Sequence, residues 1–248
     1  MIADLFDFDG DAAPYHASAF RGALLVTHRQ EPHNIGYRIG PADAYDTFVW
    51  DVLMQGCRVQ SLDALPLINT FWNQPRSLRA TRQFLSEAEG PRKTTFRKLA
   101  FHLTTWETLL GEMASVSQAP ELHEGFEFVI HDWSCLPSPF SHGFFSIWVH
   151  RQLMRGVLEG TSRTLEKVLV IHGADKLLCR EYREPSGSQQ FPLSKRILAL
   201  QKYGWGIIIA AQQPSEVDPT IRNATSVPVL FRLNYKDAKE GARLLKYE

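Results

Sequence analysis

Two short runs, residues 167–171 (KVLVI) and 206–211 (GIIIAA), are apolar at nearly every position and rich in β-branched residues. A strand with one wet face alternates apolar and polar residues. A run without that alternation must bury both faces, as strands do in a parallel sheet lying between helical layers. Further apolar runs occupy residues 2–8, 23–27 (ALLVT), 126–130 (FEFVI) and 227–233 (VPVLFRL). Pro228 places the last of these near a strand start or at a sheet edge. Helical patterns fill the gaps. Pro41, Tyr45, Phe48, Val49, Val52 and Leu53 share one face, with Gly56 just past the end. Phe96, Leu99, Leu103, Trp106 and Leu110 form a second stripe, and Phe145, Val149, Leu153 and Val157 a third. Residues 192–203 read as a helix with Pro192 in its first turn and Gly204 as its stop. Strands alternating with helices predict an α/β fold with a doubly wound, mostly parallel sheet.

The 248 residues suffice for one large α/β domain or at most two small ones. The pattern predicts a single domain over 1–248 with polar insertions near 73–95 and 180–190. Lys+Arg and Asp+Glu both number 27, so bulk charge gives no argument for a nucleic-acid partner. Cys57, Cys135 and Cys179 are scattered, with no CxxC and no His at metal-ligand spacing. They read as reduced core thiols of a cytoplasmic protein. No apolar run is long enough for a membrane span, and the N-terminus lacks the basic segment of a signal peptide.

Residues 201–237, QKYGWGIIIAAQQPSEVDPTIRNATSVPVLFRLNYKD, carry the most specific signal. A helix ends at Tyr203-Gly204, a buried strand runs to Gln212, and Pro214-Ser215 and Asp218-Pro219 turns precede a short helix and a strand ending at Arg232. With Lys202, Gly204, Gly206, Pro214 and Asp237 at matching spacing, this segment resembles the C-terminal motor segment of HerA/FtsK-class DNA motor ATPases and conjugative coupling proteins. The resemblance extends to residues 5–11 (LFDFDGD), Asp132-Trp133-Ser134, and 168–178 (VLVIHGADKLL). It implies a RecA-like fold. It also implies that Gln212 is a polar sensor facing a nucleotide γ-phosphate, and that Arg232 serves a neighbouring subunit's nucleotide as an arginine finger. An amide at the carboxyl end of a parallel strand lies where such folds bind ligands and orient water or phosphate.

Two departures bear on activity. No GxxxxGK[ST] occurs, although a P-loop needs glycines for its backbone cradle, a Lys for the phosphates and a hydroxyl for Mg²⁺. The chain begins at the strand that follows the P-loop in the family, so the P-loop strand and helix are expected to be missing. His172 stands where the resemblance implies a Mg²⁺-organising Asp, and Gly173 where it implies a catalytic Glu. Mg²⁺ prefers oxygen ligands, and glycine offers no base. Asp175 reads as a helix-start or surface acid. The expectation is a pseudo-ATPase: a non-hydrolysing structural or regulatory subunit of a DNA-processing or DNA-transfer assembly, oligomeric with like or active motor subunits and without a cofactor of its own. The alternative is an active ATP-driven DNA translocase with divergent motifs, using ATP and Mg²⁺.

Other constellations compete with this reading. Asp7-Phe8-Asp9-Gly10-Asp11 also resembles the first motif of haloacid-dehalogenase-type phosphatases, with Asp7 as nucleophile and Asp9 as second acid. Ser134 suits the strand-end hydroxyl of that class, but Asp11 replaces its Thr and no strand-end acid pair follows. The nine histidines show no i, i+4 pair of metal-binding type, and no serine lies in GxSxG. Arg76, Arg79 and Arg82 share a helix face and, with Arg92, Lys93, Arg97 and Lys98, form a basic cluster suited to DNA phosphates. Interspersed Glu87 and Glu89 suit a solvated surface or subunit interface equally well.

Overall fold

The computed structural model describes residues 2–8, 24–27, 78–87, 89–90, 93–110, 128–132, 138–178, 193–231 and 235–245. The strands are β1 (Ile2–Asp7), β2 (Leu24–Thr27), β3 (Phe128–Asp132), β4 (Ser162–His172) and β5 (Tyr203–Ala210). The helices are α1 (Leu78–Glu87), α2 (Lys93–Leu110), α3 (Ser138–Glu159), α4 (Ala174–Leu177), α5 (Leu193–Ala199), α6 (Pro219–Ala224) and α7 (Tyr235–Leu244). A 3₁₀ turn, Leu200–Lys202, joins α5 to β5.

The chain divides into two compact units. One comprises Met1–Val26, His123–Glu184 and Gln190–Glu248, and the other Thr27–Leu122 and Pro185–Gln189. The first unit holds the sheet, in order β2-β3-β1-β4-β5. The β3–β1, β1–β4 and β4–β5 ladders are all parallel. The fold is thus the parallel α/β architecture that the unbroken apolar runs predict. In the second unit α1 and α2 pack together, burying Leu85, Leu99, Ala100 and Leu103.

Successive residues of β1 serve opposite faces of the sheet. Leu5 packs with Ile130, Phe128 and Val170 on one face. Phe6 faces the other way, into an aromatic cluster under α3. It meets Phe145 edge-on at 4.9 Å, Trp148 edge-on at 4.7 Å, and stacks on His131 at 4.1 Å. Trp148 in turn meets Trp205 of β5 at 5.5 Å, so one helix ties β1 to β5. Asp4 is buried within this layer, and its Oδ1 lies 3.0 Å from His131 Nε2. A buried carboxylate requires such a partner, because desolvation without one costs several kcal/mol, on the order of the unpaired-ion penalty.

The third apolar stripe is truncated. Phe145 and Val149 are fully buried, whereas Val157 is 59% exposed. Next to Val157, Tyr203 sits so closely over Gly156 that a Cβ at 156 would lie 2.5 Å from Tyr203 Cγ. The close approach at the start of β5 is made by the glycine. The 192–203 helix is shorter than the pattern predicts. It ends at Ala199 and tightens into the 3₁₀ turn, with Gly204 at φ +78° beyond it. Beta-branched and aromatic residues from Tyr203 onward then favour the strand. Residues 227–231 join no ladder among the described residues. The helix expected over 41–53 and the three cysteines lie outside the described residues.

Candidate functional site at the carboxyl edge of the sheet

The parallel registers align the strand ends. Asp7 is paired with Asp132 on one side and His172 on the other, and His172 with Ala210. One row across four strands therefore reads Asp132, Asp7, His172, Ala210, at the edge where open α/β sheets bind ligands. Asp7 is fully buried, and its Oδ1 lies 3.3 Å from Nδ1 of the partly exposed His172. The backbone closes behind the pair, with Phe8 N–H donating to His172 O at 3.3 Å.

Gly173 follows with φ 72° and ψ 35°, a left-handed conformation that side chains with a Cβ seldom adopt. The turn it makes launches the short helix α4. Asp175 falls in the first turn of that helix, as its sequence position suggests, and reaches across to the next strand end. Its Oδ1 accepts the Gln212 backbone N–H at 3.4 Å. Gln212 itself is exposed, two residues beyond the last residue of β5.

The loop carrying Gln212 is anchored at two further points. Buried Asp237 of α7 accepts Ser215 N–H at 3.1 Å. Asp218 N–H donates to Leu178 O at 2.8 Å. Asp218 also caps α6, accepting Thr220 N–H at 2.6 Å, and accepts the Ser194 hydroxyl at 2.8 Å. Pro219 at the first helical position suits that cap. Three aspartates from three elements thus fix the 212–218 loop. The family resemblance singles out Asp237; the Asp218 and Asp175 contacts are not legible in the sequence, because their partners are 24 and 37 residues distant.

The structure brings His172, Gly173, Asp175 and Gln212 to one edge, beside Asp7. Arg232, Arg76, Arg92, Asp9 and Ser134 lie outside the described residues. Arg79 and Arg82 lie on α1, and Lys93 opens α2. Those three belong to the second compact unit.

At this edge His172 presents an imidazole, Gly173 has no side chain, and the Asp7 carboxylate is buried against His172. Among the described residues no cluster of three or more His, Cys, Asp or Glu side chains is arranged to hold a metal ion. No helix among them is long and apolar enough to cross a membrane.

No protein-family model matches the chain, and no curated protein matches it. Solved structures do. VirB4 of Thermoanaerobacter pseudethanolicus superposes with a TM-score of 0.62 at 11% identity, over 99% of this chain and 73% of that one. The fold is that of VirB4. The plasmid coupling protein TrwB, in complex with the GTP analogue GDPNP, matches with a TM-score of 0.50 at 13% identity, over 98% of this chain and 74% of that one. An unbound form of conjugative TrwB gives 0.51 at 12%, over 99% and 72%. The chain therefore has the RecA-like α/β fold shared by VirB4 and TrwB, across nearly its whole length.

Proposed function

We propose that this chain is a degenerate motor-type domain that does not hydrolyse ATP by itself and acts as a structural or regulatory subunit of a DNA-processing or DNA-transfer assembly. The fold shared with VirB4 and with the coupling protein TrwB supports the motor-type ancestry. The observation that carries the loss of hydrolysis is the end of β4. There His172 contacts a buried Asp7, and Gly173 occupies a left-handed turn where a catalytic acid would be strained as well as missing. Partners of the same motor type, with Arg232 directed to a neighbour's nucleotide, follow from the family resemblance.

The divergent active motor is favoured by one observation, the exposure of Gln212 on a loop held by three anchors. A preorganised amide suits a phosphate or water. The phosphatase reading is disfavoured by the burial of Asp7, since a nucleophile must reach its phosphate.

Calorimetric titration with ATP, with and without Mg²⁺, separates the first two readings. The pseudo-ATPase gives no Mg²⁺-dependent binding and no turnover. The active motor gives both, and loses turnover on Gln212→Ala.

A further inference from the structure

The two sides of α2 differ in kind. Its inner side buries Leu99, Ala100 and Leu103. Successive residues turn by about 100°, so Thr94, Arg97, Lys98, Phe101, Thr104 and Thr105 fall within about 120° of the opposite side. All six are exposed. Phe101 stands at the middle of this arc and is 77% exposed. Arg97 and Lys98 lie one turn before it, with about 5–6 Å between Cβ atoms.

The charge of the arc is one-sided. Among the described residues it carries Arg97 and Lys98 and no acid. Both cations, with Lys93, fall in the first two turns of α2, and the first turn holds no acid. Exposed N–H groups give that end of a helix a partial positive charge, so cations there oppose the dipole and raise the local positive potential. Helix stability does not account for this placement, whereas an anionic ligand does. The acids that precede it, Glu87 and Glu89, belong to the end of α1 and the turn, and Glu87 accepts a hydrogen bond from Gln83 at 2.9 Å. The position of Glu107 along α2 falls outside the arc.

Phe101 is the one apolar side chain of the arc among the described residues. A helix that docks into a protein groove carries several, at i, i+3 or i+4, and i+7. Threonines stand at those positions after Phe101. Thr104 and Thr108 donate their hydroxyls to Ala100 O at 3.0 Å and Thr104 O at 2.8 Å, directing those protons into the helix. The arc thus offers one aromatic platform beside two charged donors.

We propose that the outward side of α2 binds single-stranded nucleic acid, with a base stacked on the Phe101 ring and adjoining phosphates held by Arg97 and Lys98. An aromatic ring stacks on any base, and cations beside it follow the backbone. A duplex keeps its bases stacked inside and leaves Phe101 without a partner, so the face selects a single strand. The site lies in the second compact unit and shares no residue with the sheet edge. The proposal therefore stands whether or not the chain binds ATP.

The test titrates the full chain into fluorescein-labelled oligothymidine, an oligouridine of the same length, and a duplex of that length, followed by anisotropy. Saturable binding of the single strands is expected, at least about tenfold tighter than the duplex. The tighter of the two single strands tells DNA from RNA. Phe101→Ala should weaken single-strand binding at least about fivefold, and Phe101→Trp should retain it. Arg97→Gln with Lys98→Gln should reduce the salt slope by about 1.4, the share of two phosphate contacts on a single strand. The substituted residues are exposed, so circular dichroism should show the variants folded. Absence of saturable binding, equal affinity for the duplex, or binding unchanged in Phe101→Ala overturns the proposal. So does displacement by polyglutamate as effective as by unlabelled single strand, since the face then takes any polyanion, an acidic protein segment included.

Discussion

Asp7 and His172 close adjacent parallel strands in register, and their side chains meet at 3.3 Å with the carboxylate fully buried. A buried carboxylate is tolerable only with a partner. His172 is thus a structural companion to Asp7. Asp7→Ala should destabilise the chain by about 1–3 kcal/mol, the cost of disrupting a buried polar pair. In a double-mutant cycle with His172→Ala the coupling should be on the order of 0.5–3 kcal/mol. Urea denaturation reads both, and additive losses would show that the two residues do not interact.

Phe6 touches Phe145, Trp148 and His131 at once and is fully buried. Phe6→Ala should therefore cost about 3–5 kcal/mol, in the range of large-to-small aromatic truncations. Thermal unfolding followed by near-ultraviolet circular dichroism checks this, and a loss under about 1 kcal/mol would contradict the assigned packing.

Gly156 lies under the Tyr203 ring with no room for a methyl group. Gly156→Ala improves helix propensity by about 1 kcal/mol in an open site. Here overpacking of about 1–3 kcal/mol should win, giving net destabilisation. Gly156→Ala combined with Tyr203→Ala should lose less than the sum of the two single changes. Chemical denaturation of all three variants decides it.

Glu166 is exposed on β4, and its carboxylate accepts hydrogen bonds from the hydroxyls of Ser162 and Thr164. These bonds, Ser162 first, hold its pKa below the usual carboxylate value, with a smaller contribution from Lys167. The folded pKa is the depressed one. The linked stability is therefore present above the ordinary carboxylate pKa and is lost as pH falls through the folded value. Ser162→Ala should move the Glu166 titration upward toward the ordinary range, as read by carbon-detected NMR of the side-chain carboxyl. An unchanged titration would refute the assigned cause.

Much of the sheet was legible because short unbroken apolar runs alternating with helical patterns have few other uses. The runs at 2–8, 167–171 and 206–211 all became strands. Boundaries moved where the local signal was mixed. β4 begins at Ser162, through the polar stretch Ser162 to Glu166, because its ladder to β5 continues there past an irregularity. Residues 227–231 alternate in exposure like a strand, but a ladder depends on a neighbour that residue pattern alone does not supply. The Asp4–His131 and Asp7–His172 pairs were invisible for the same reason. In each pair the acid's partner lies on a different strand. The family resemblance points to Gln212, whereas its anchors at Asp175 and Asp218 are purely tertiary.

The most direct test of the motor-type domain without hydrolysis is isothermal titration of the purified chain with ATP in the presence of Mg²⁺, paired with a phosphate-release assay on the same sample. The account predicts no Mg²⁺-dependent heat of binding and no phosphate release above the protein-free rate. Saturable Mg²⁺-dependent binding with turnover that Gln212→Ala abolishes would contradict it.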